Sequence, residues 1–111
     1  MITVATAERI ILSMPEAEKS QHHGHPDFRV KNKIFATLWP TESRAVLKID
    51  PVNQGRLLKS EPAAFSTNAW SKYGCTNIHL QHIDAKLFQE LVEDSWQAVA
   101  PKKLVLQQKE S

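Results

Sequence analysis

The chain has 111 residues, 41% of them hydrophobic and 23% charged, with a formal net charge of +2. That is the size and composition of one folded domain with a modest core, and it argues against a disordered chain or a strongly basic nucleic-acid neutraliser. No run of 18 apolar residues suggests a membrane span, and Cys75, the lone cysteine, rules out an intrachain disulfide and a cysteine-rich zinc site. The short apolar run Ile10 to Leu12 follows Glu8 and Arg9 and precedes no small-residue cleavage site, so a cytoplasmic protein is expected.

Val4, Ala7, Ile11 and Met14 recur at helical spacing and predict an amphipathic first helix ending before Pro15. Residues 21–26 hold His, Gly and Pro and read as a loop. Phe28 to Val30 and Ile34 to Trp39 then flank Lys31-Asn32-Lys33, a hairpin turn in which Asn accepts positive φ. Ala45, Leu47 and Ile49 alternate with Arg44, Val46 and Lys48, the period of a strand with a partly polar outer face. Asp50-Pro51 supplies an N-cap and first helical residue for a short helix that stops before Pro62, with Gly55 as a weak point inside it.

Thr76, Ile78 and Leu80 alternate with Asn77, His79 and Gln81 and predict another half-buried strand. Asp84 caps a long helix whose stripe is Leu87, Phe88, Leu91, Val92, Trp96 and Val99, closed by Pro101. Long amphipathic helices towards both ends, with strands between, predict an α+β domain over 1–111: two long terminal helices packed on one face of an antiparallel sheet.

The residues resemble a known family. Gly24-His25-Pro26-Asp27-Phe28-Arg29-Val30 and Lys33-Ile34-Phe35-Ala36-Thr37-Leu38 are similar to the N-terminal signature of MmcQ/YjbR-like proteins. The similarity resumes at Lys48-Ile49-Asp50-Pro51 with Gln54, at Trp70 and Gly74, and from Ser95-Trp96 through Ala100-Pro101-Lys102-Lys103-Leu104. The resemblance implies a CyaY-like (frataxin-like) α-β-α layout and a DNA-binding role. Cys75 departs from it, because similar sequences often carry an aromatic residue after the glycine, so a binding face that used that ring is altered here. The iron binding of frataxins does not carry over. Only Glu8 on the first helix, with Glu16 and Glu18 just beyond, would stand for an acidic ridge.

No catalytic constellation or cofactor motif is evident, so a non-enzymatic protein without a cofactor is expected. His22, His23 and His25 are of a type that binds zinc or copper, but no acid or cysteine stands at a ligand interval. His25, before Pro26, is expected to hold a turn by hydrogen bonding rather than to ligate metal. Cys75 and His79 share a strand face about 13 Å apart, too far for a thiolate–imidazole pair. With three glycines in all, phosphate-cradling loops are excluded.

What remains is charge. Residues 19–82 hold nine lysines and arginines against four acids, whereas residues 84–96 hold one lysine against four acids. The candidate nucleic-acid residues are Arg29, Lys31 and Lys33 around the hairpin, Arg44 and Lys48 on a strand, and Trp70 and Lys72 beside Tyr73. They predict weak, salt-sensitive DNA binding of low specificity on a modest basic face. The alternatives are a protein-interaction module using the exposed sheet, or a small-molecule-binding protein.

Overall fold

A computed structural model describes residues 1–22 and 24–110. Helix α1 (Val4–Leu12) starts at Thr3, whose Oγ1 accepts a hydrogen bond from the Thr6 amide at 3.1 Å, and it buries Ala7 and Ile11. Strands β1 (Glu18–His22) and β2 (His25–Val30) pair antiparallel across a turn containing Gly24, which has φ +83°. Strand therefore occupies most of the segment expected to be a loop. The sequence of β1, Glu-Lys-Ser-Gln-His, has no apolar face to reveal it because β1 is an edge strand.

Strand β3 (Lys33–Trp39) follows through the expected turn, with Lys31 at φ 48° and Asn32 at φ 68°. Positive φ at two successive residues matches the right-handed twist of a two-residue hairpin. The register slips between Phe28 and Arg29: Phe28 lies opposite Ala36 but Arg29 lies opposite Ile34. The extra residue, Phe35, forms a bulge, and Phe35 and Ala36 are consecutively buried.

Strand β4 (Arg44–Lys48) leads into helix α2 (Pro51–Ser60), where Asp50 Oδ1 accepts from the Asn53 amide at 2.9 Å. A two-residue strand β5 (Phe65–Ser66) and strand β6 (Cys75–His79) complete a six-stranded antiparallel sheet of order β1-β2-β3-β4-β6-β5. Helix α3 (Ala85–Val99) is capped by Asp84, whose Oδ1 accepts from the Leu87 amide at 2.7 Å. Pro101 ends α3 as expected, and it also opens a further helix, α4 (Lys102–Glu110), that the sequence reading lacks. Proline suits a first helical turn because its missing N–H would be unpaired there.

Helices α1 and α3 pack against β3, and α3 also against β4, while α2 packs on β5. The core between the layers holds Phe28, Leu38, Leu47, Ile78, Phe88 and Trp96. Two side chains of α3 fasten the layers. Ser95 Oγ donates to the Phe35 carbonyl at 2.6 Å and accepts from the Lys48 amide at 3.0 Å, and Trp96 Nε1 donates to the Pro15 carbonyl at 3.0 Å. The architecture is thus the expected α+β one, with α1 and α3 laid on one face of an antiparallel sheet. No helix is long and apolar enough to cross a membrane among the described residues.

Candidate functional site

Strand alternation decides which side chains the helices leave uncovered. Ala36 and Leu38 of β3 pair with Leu47 and Ala45 of β4, which pair in turn with Thr76 and Ile78 of β6, and all six are buried. Their neighbours Thr37, Trp39, Arg44, Val46, Lys48, Cys75, Asn77 and His79 therefore point to the opposite, open face.

One row of that face is a stack. The His25 ring lies 3.8 Å from the Trp39 ring, centroid to centroid, and 19° from parallel with it. From the other neighbouring strand, Arg44 Cζ sits 4.7 Å from the Trp39 centroid. Trp39 is thus enclosed between His25 and Arg44, and its Nε1 donates to Thr37 Oγ1 at 3.2 Å. Arg44 Nη1 donates to Asn77 Oδ1 at 3.0 Å and its Nε to Glu42 Oε1 at 3.1 Å. Farther along, Asn77 Nδ2 donates to Ser66 Oγ at 3.1 Å, and Ser66 Oγ lies 2.8 Å from His79 Nε2. Burial, then the charges of Arg44 and His82, holds the His79 imidazole below its ordinary pKa, favouring the neutral ring.

Beside the stack lies a hollow of about 400 Å³ with Trp39, Arg44, Val46, Cys75 and Trp70 in its walls. A neighbouring hollow of about 300 Å³ shares Thr37, Val46 and Cys75 and runs on to Ile34 and Lys48. Together they make a trough along the open face, with Cys75 lining both parts of it.

The rim of the trough is the loop from Asn68 to Gly74. Asn68 Oδ1 accepts from the Trp70 amide at 2.7 Å, and Ser71 Oγ accepts from the Asn68 amide and donates to the Cys75 carbonyl, both at 2.8 Å. These bonds hold Trp70 and Tyr73 outward, 63% and 64% exposed, with ring centroids 6.5 Å apart and a 32° tilt between them. Lys72 Nζ lies 5.1 Å from the Tyr73 centroid. Gly74 ends the loop at φ +97°, where a Cβ would stand 3.1 Å from the Ile49 carbonyl oxygen, so both conformation and space favour glycine.

Lys48 and Lys72 border a third hollow, of about 360 Å³, that Asp50 and Asp94 also line. Burial, and then the charges of Glu93, Asp50 and Glu90, raise the Asp94 carboxyl above its usual range. The backbone N–H of Asn53 does most to lower Asp50 below its own.

Of the seven candidates, Arg44 and Trp70 line one hollow, and Lys48 and Lys72 line another that they share with Asp50 and Asp94. Arg29 lies on the same face but is spent on Asp27, at 3.1 Å (Nε to Oδ1) and 3.3 Å (Nη2 to Oδ2), and that hydrogen-bonded contact raises its pKa. Lys31 is paired with Glu16 at 2.6 Å and lines a hollow with Pro101 and Lys103 at the helix layer. Lys33 stands opposite Val30, whose side chain faces the core, so it too is turned from the open face. Lys33, Lys48 and Lys72 make no ion pair among the described residues.

Sequence reasoning overlooked Trp39, whose parity opposite Leu38 was a usable signal, and the Ser66–His79 contact, for which a separation of 13 positions left none. His25 makes a ring stack rather than the expected turn hydrogen bond, and its Nδ1 is buried with no hydrogen-bond partner among the described residues. His23 lies outside the described residues, and no cluster of three metal-ligating side chains occurs among those described.

Comparison with known proteins agrees with this architecture. The model of a family described as YjbR matches residues 12–98. The crystal structure of the Deinococcus radiodurans protein DR2400, described as a DUF419 domain, superposes with a TM-score of 0.80 at 22% identity over 93% of this chain and 82% of that one. At that identity the likeness concerns the fold. No curated protein matches the chain.

Proposed function

We propose that this chain, which belongs to the YjbR family, is a non-enzymatic cytosolic protein that binds nucleic acid weakly and with little sequence preference. The binding surface is the open face of its sheet. The observation that carries this reading is the outward pair Trp70 and Tyr73 with Lys72 beside it, at the rim of a trough that Arg44 and Lys48 also line. Exposed aromatic rings are groups that stack bases, and Lys48 and Lys72, which make no ion pair among the described residues, are groups that neutralise phosphates, whereas Arg44 is already paired with Glu42. With so few free cations, an affinity in the ~10⁻⁴–10⁻⁶ M range at physiological salt is expected.

A non-enzymatic role is supported by the surroundings of the nearest nucleophile–base contact. His79 Nε2 meets Ser66 Oγ, but among the described residues no acid hydrogen-bonds the other ring nitrogen, and Ser66 is engaged by Asn77 within the sheet.

The test is fluorescence anisotropy with labelled DNA and nucleic-acid-free protein at about 50 mM and about 200 mM salt. Binding should weaken steeply with salt and with Lys48→Glu and Lys72→Glu, whereas Lys31→Glu should change it little. If no DNA binds at the lower salt, the reading fails. One observation favours a second reading, a protein-interaction module: Ile34 is 42% exposed in the same trough as Val46, an apolar surface that a partner chain could cover.

A further inference from the structure

Resting on that reading of the open face, we infer that the form of nucleic acid this protein takes is single-stranded, with unpaired bases laid on Trp70 and Tyr73. Three features point the same way. First, Trp70 and Tyr73 are both well exposed, and an exposed ring finds its stacking partner in an unpaired base, because a base in a duplex has both its own faces covered by its neighbours in the stack. Trp39 is closed to such a role because His25 and Arg44 occupy its faces, so the available platform is the pair on the rim.

Second, the ring centroids of Trp70 and Tyr73 are 6.5 Å apart, nearly double the ~3.4 Å rise between stacked bases of one strand. Two successive bases could occupy the two rings only if they were pulled out of the stack, as a flexible single strand allows and a duplex does not. Lys72 beside Tyr73 and Lys48 across the neighbouring hollow would then meet the phosphates of the spread strand. Asp50 and Asp94 line that hollow and keep the cationic stretch short, so the site suits a few nucleotides rather than a long track.

Third, apart from the short rim loop that carries Trp70 and Tyr73, no element described on this face stands out from it. All the packed helices lie on the other side of the sheet, and the open side is a trough, so no helix or ribbon is available to enter a major groove ~12 Å wide.

The experiment measures anisotropy of labelled oligothymidylate, oligouridylate and a duplex, each about 15 nucleotides long. Wild type, Trp70→Ala, Trp70→Phe and Tyr73→Ala are compared, with circular dichroism confirming that each variant is folded. Single strands should bind roughly tenfold more tightly than duplex, and Trp70→Ala should lose roughly tenfold on single strands and little on duplex. Trp70→Phe should recover part of the loss, because it restores a ring and not a charge. Comparing the two oligonucleotides tells a DNA ligand from an RNA ligand, and preference for either supports the inference. Duplex binding that equals or exceeds single-strand binding, or single-strand binding indifferent to Trp70→Ala, overturns the inference while nucleic-acid binding stands. Failure of every oligonucleotide to bind overturns both.

Discussion

Ser95 occupies the place where β3 and β4 stop pairing. A regular ladder beyond the Ala36–Leu47 pair would join Phe35 to Lys48, but the bulge at Phe35 spoils that geometry. The hydroxyl of Ser95 bridges the two backbones instead, donating to one and accepting from the other. Ser95→Ala would leave a buried carbonyl and a largely covered amide unpaired, each worth about 1–3 kcal/mol. Urea unfolding should therefore show a loss of about 2–4 kcal/mol with an unchanged m-value. The sequence marks Ser95-Trp96 as part of a family-like stretch but cannot say why, since the partners lie 60 and 47 residues away. The same blindness to distant partners explains the charges. Lys31 looked like a free cation until folding brought Glu16 to it, whereas Lys48 and Lys72 make no ion pair among the described residues.

Among the elements, those with a strong apolar period were legible: α1, α3, the β2–β3 hairpin, β4 and β6. The ones not foreseen lack that period. Strand β1 is polar on both faces, β5 is two residues long, and α4 follows a proline that reads as a stop. Helix α2 falls between these cases, because its cap Asp50-Pro51 is plain while Gly55 argues against it. The helix forms nonetheless, with Leu57 and Leu58 packed against the core and Gln54 Nε2 donating to Thr76 Oγ1 at 2.8 Å. A Cβ at Gly55 would meet nothing within 4 Å. Gly55→Ala should accordingly raise stability by about 0.5–1 kcal/mol, read from the urea midpoint, and a decrease would show that α2 needs the glycine for some other reason.

At the scale of the molecule, the exposed acids of α3 and the cations of β4 lie on different sides of the sheet. Glu90 and Glu93 are exposed on α3 in the helix layer, while Arg44 and Lys48 belong to the open face. The sequence held this contrast as a basic middle and an acidic late helix. Only the fold sets Glu90 and Glu93 across the sheet from Arg44 and Lys48. Which cations stand free on the open face was not legible, because strand parity and ion pairing decide it together.

The Ser95 bridge also sets a clock within this molecule. The amide of Lys48 is bonded to a side chain of α3 rather than to a neighbouring strand, so it cannot reach solvent until the helix layer lifts from the sheet. Opening there amounts to losing the core, while the unpaired outer side of β1 frays at little cost. In native-state hydrogen exchange the Lys48 amide should be among the slowest in the chain and track global unfolding, with the outward amides of β1 among the fastest. Rapid exchange at Lys48 would mean that the two layers separate without the rest of the fold noticing.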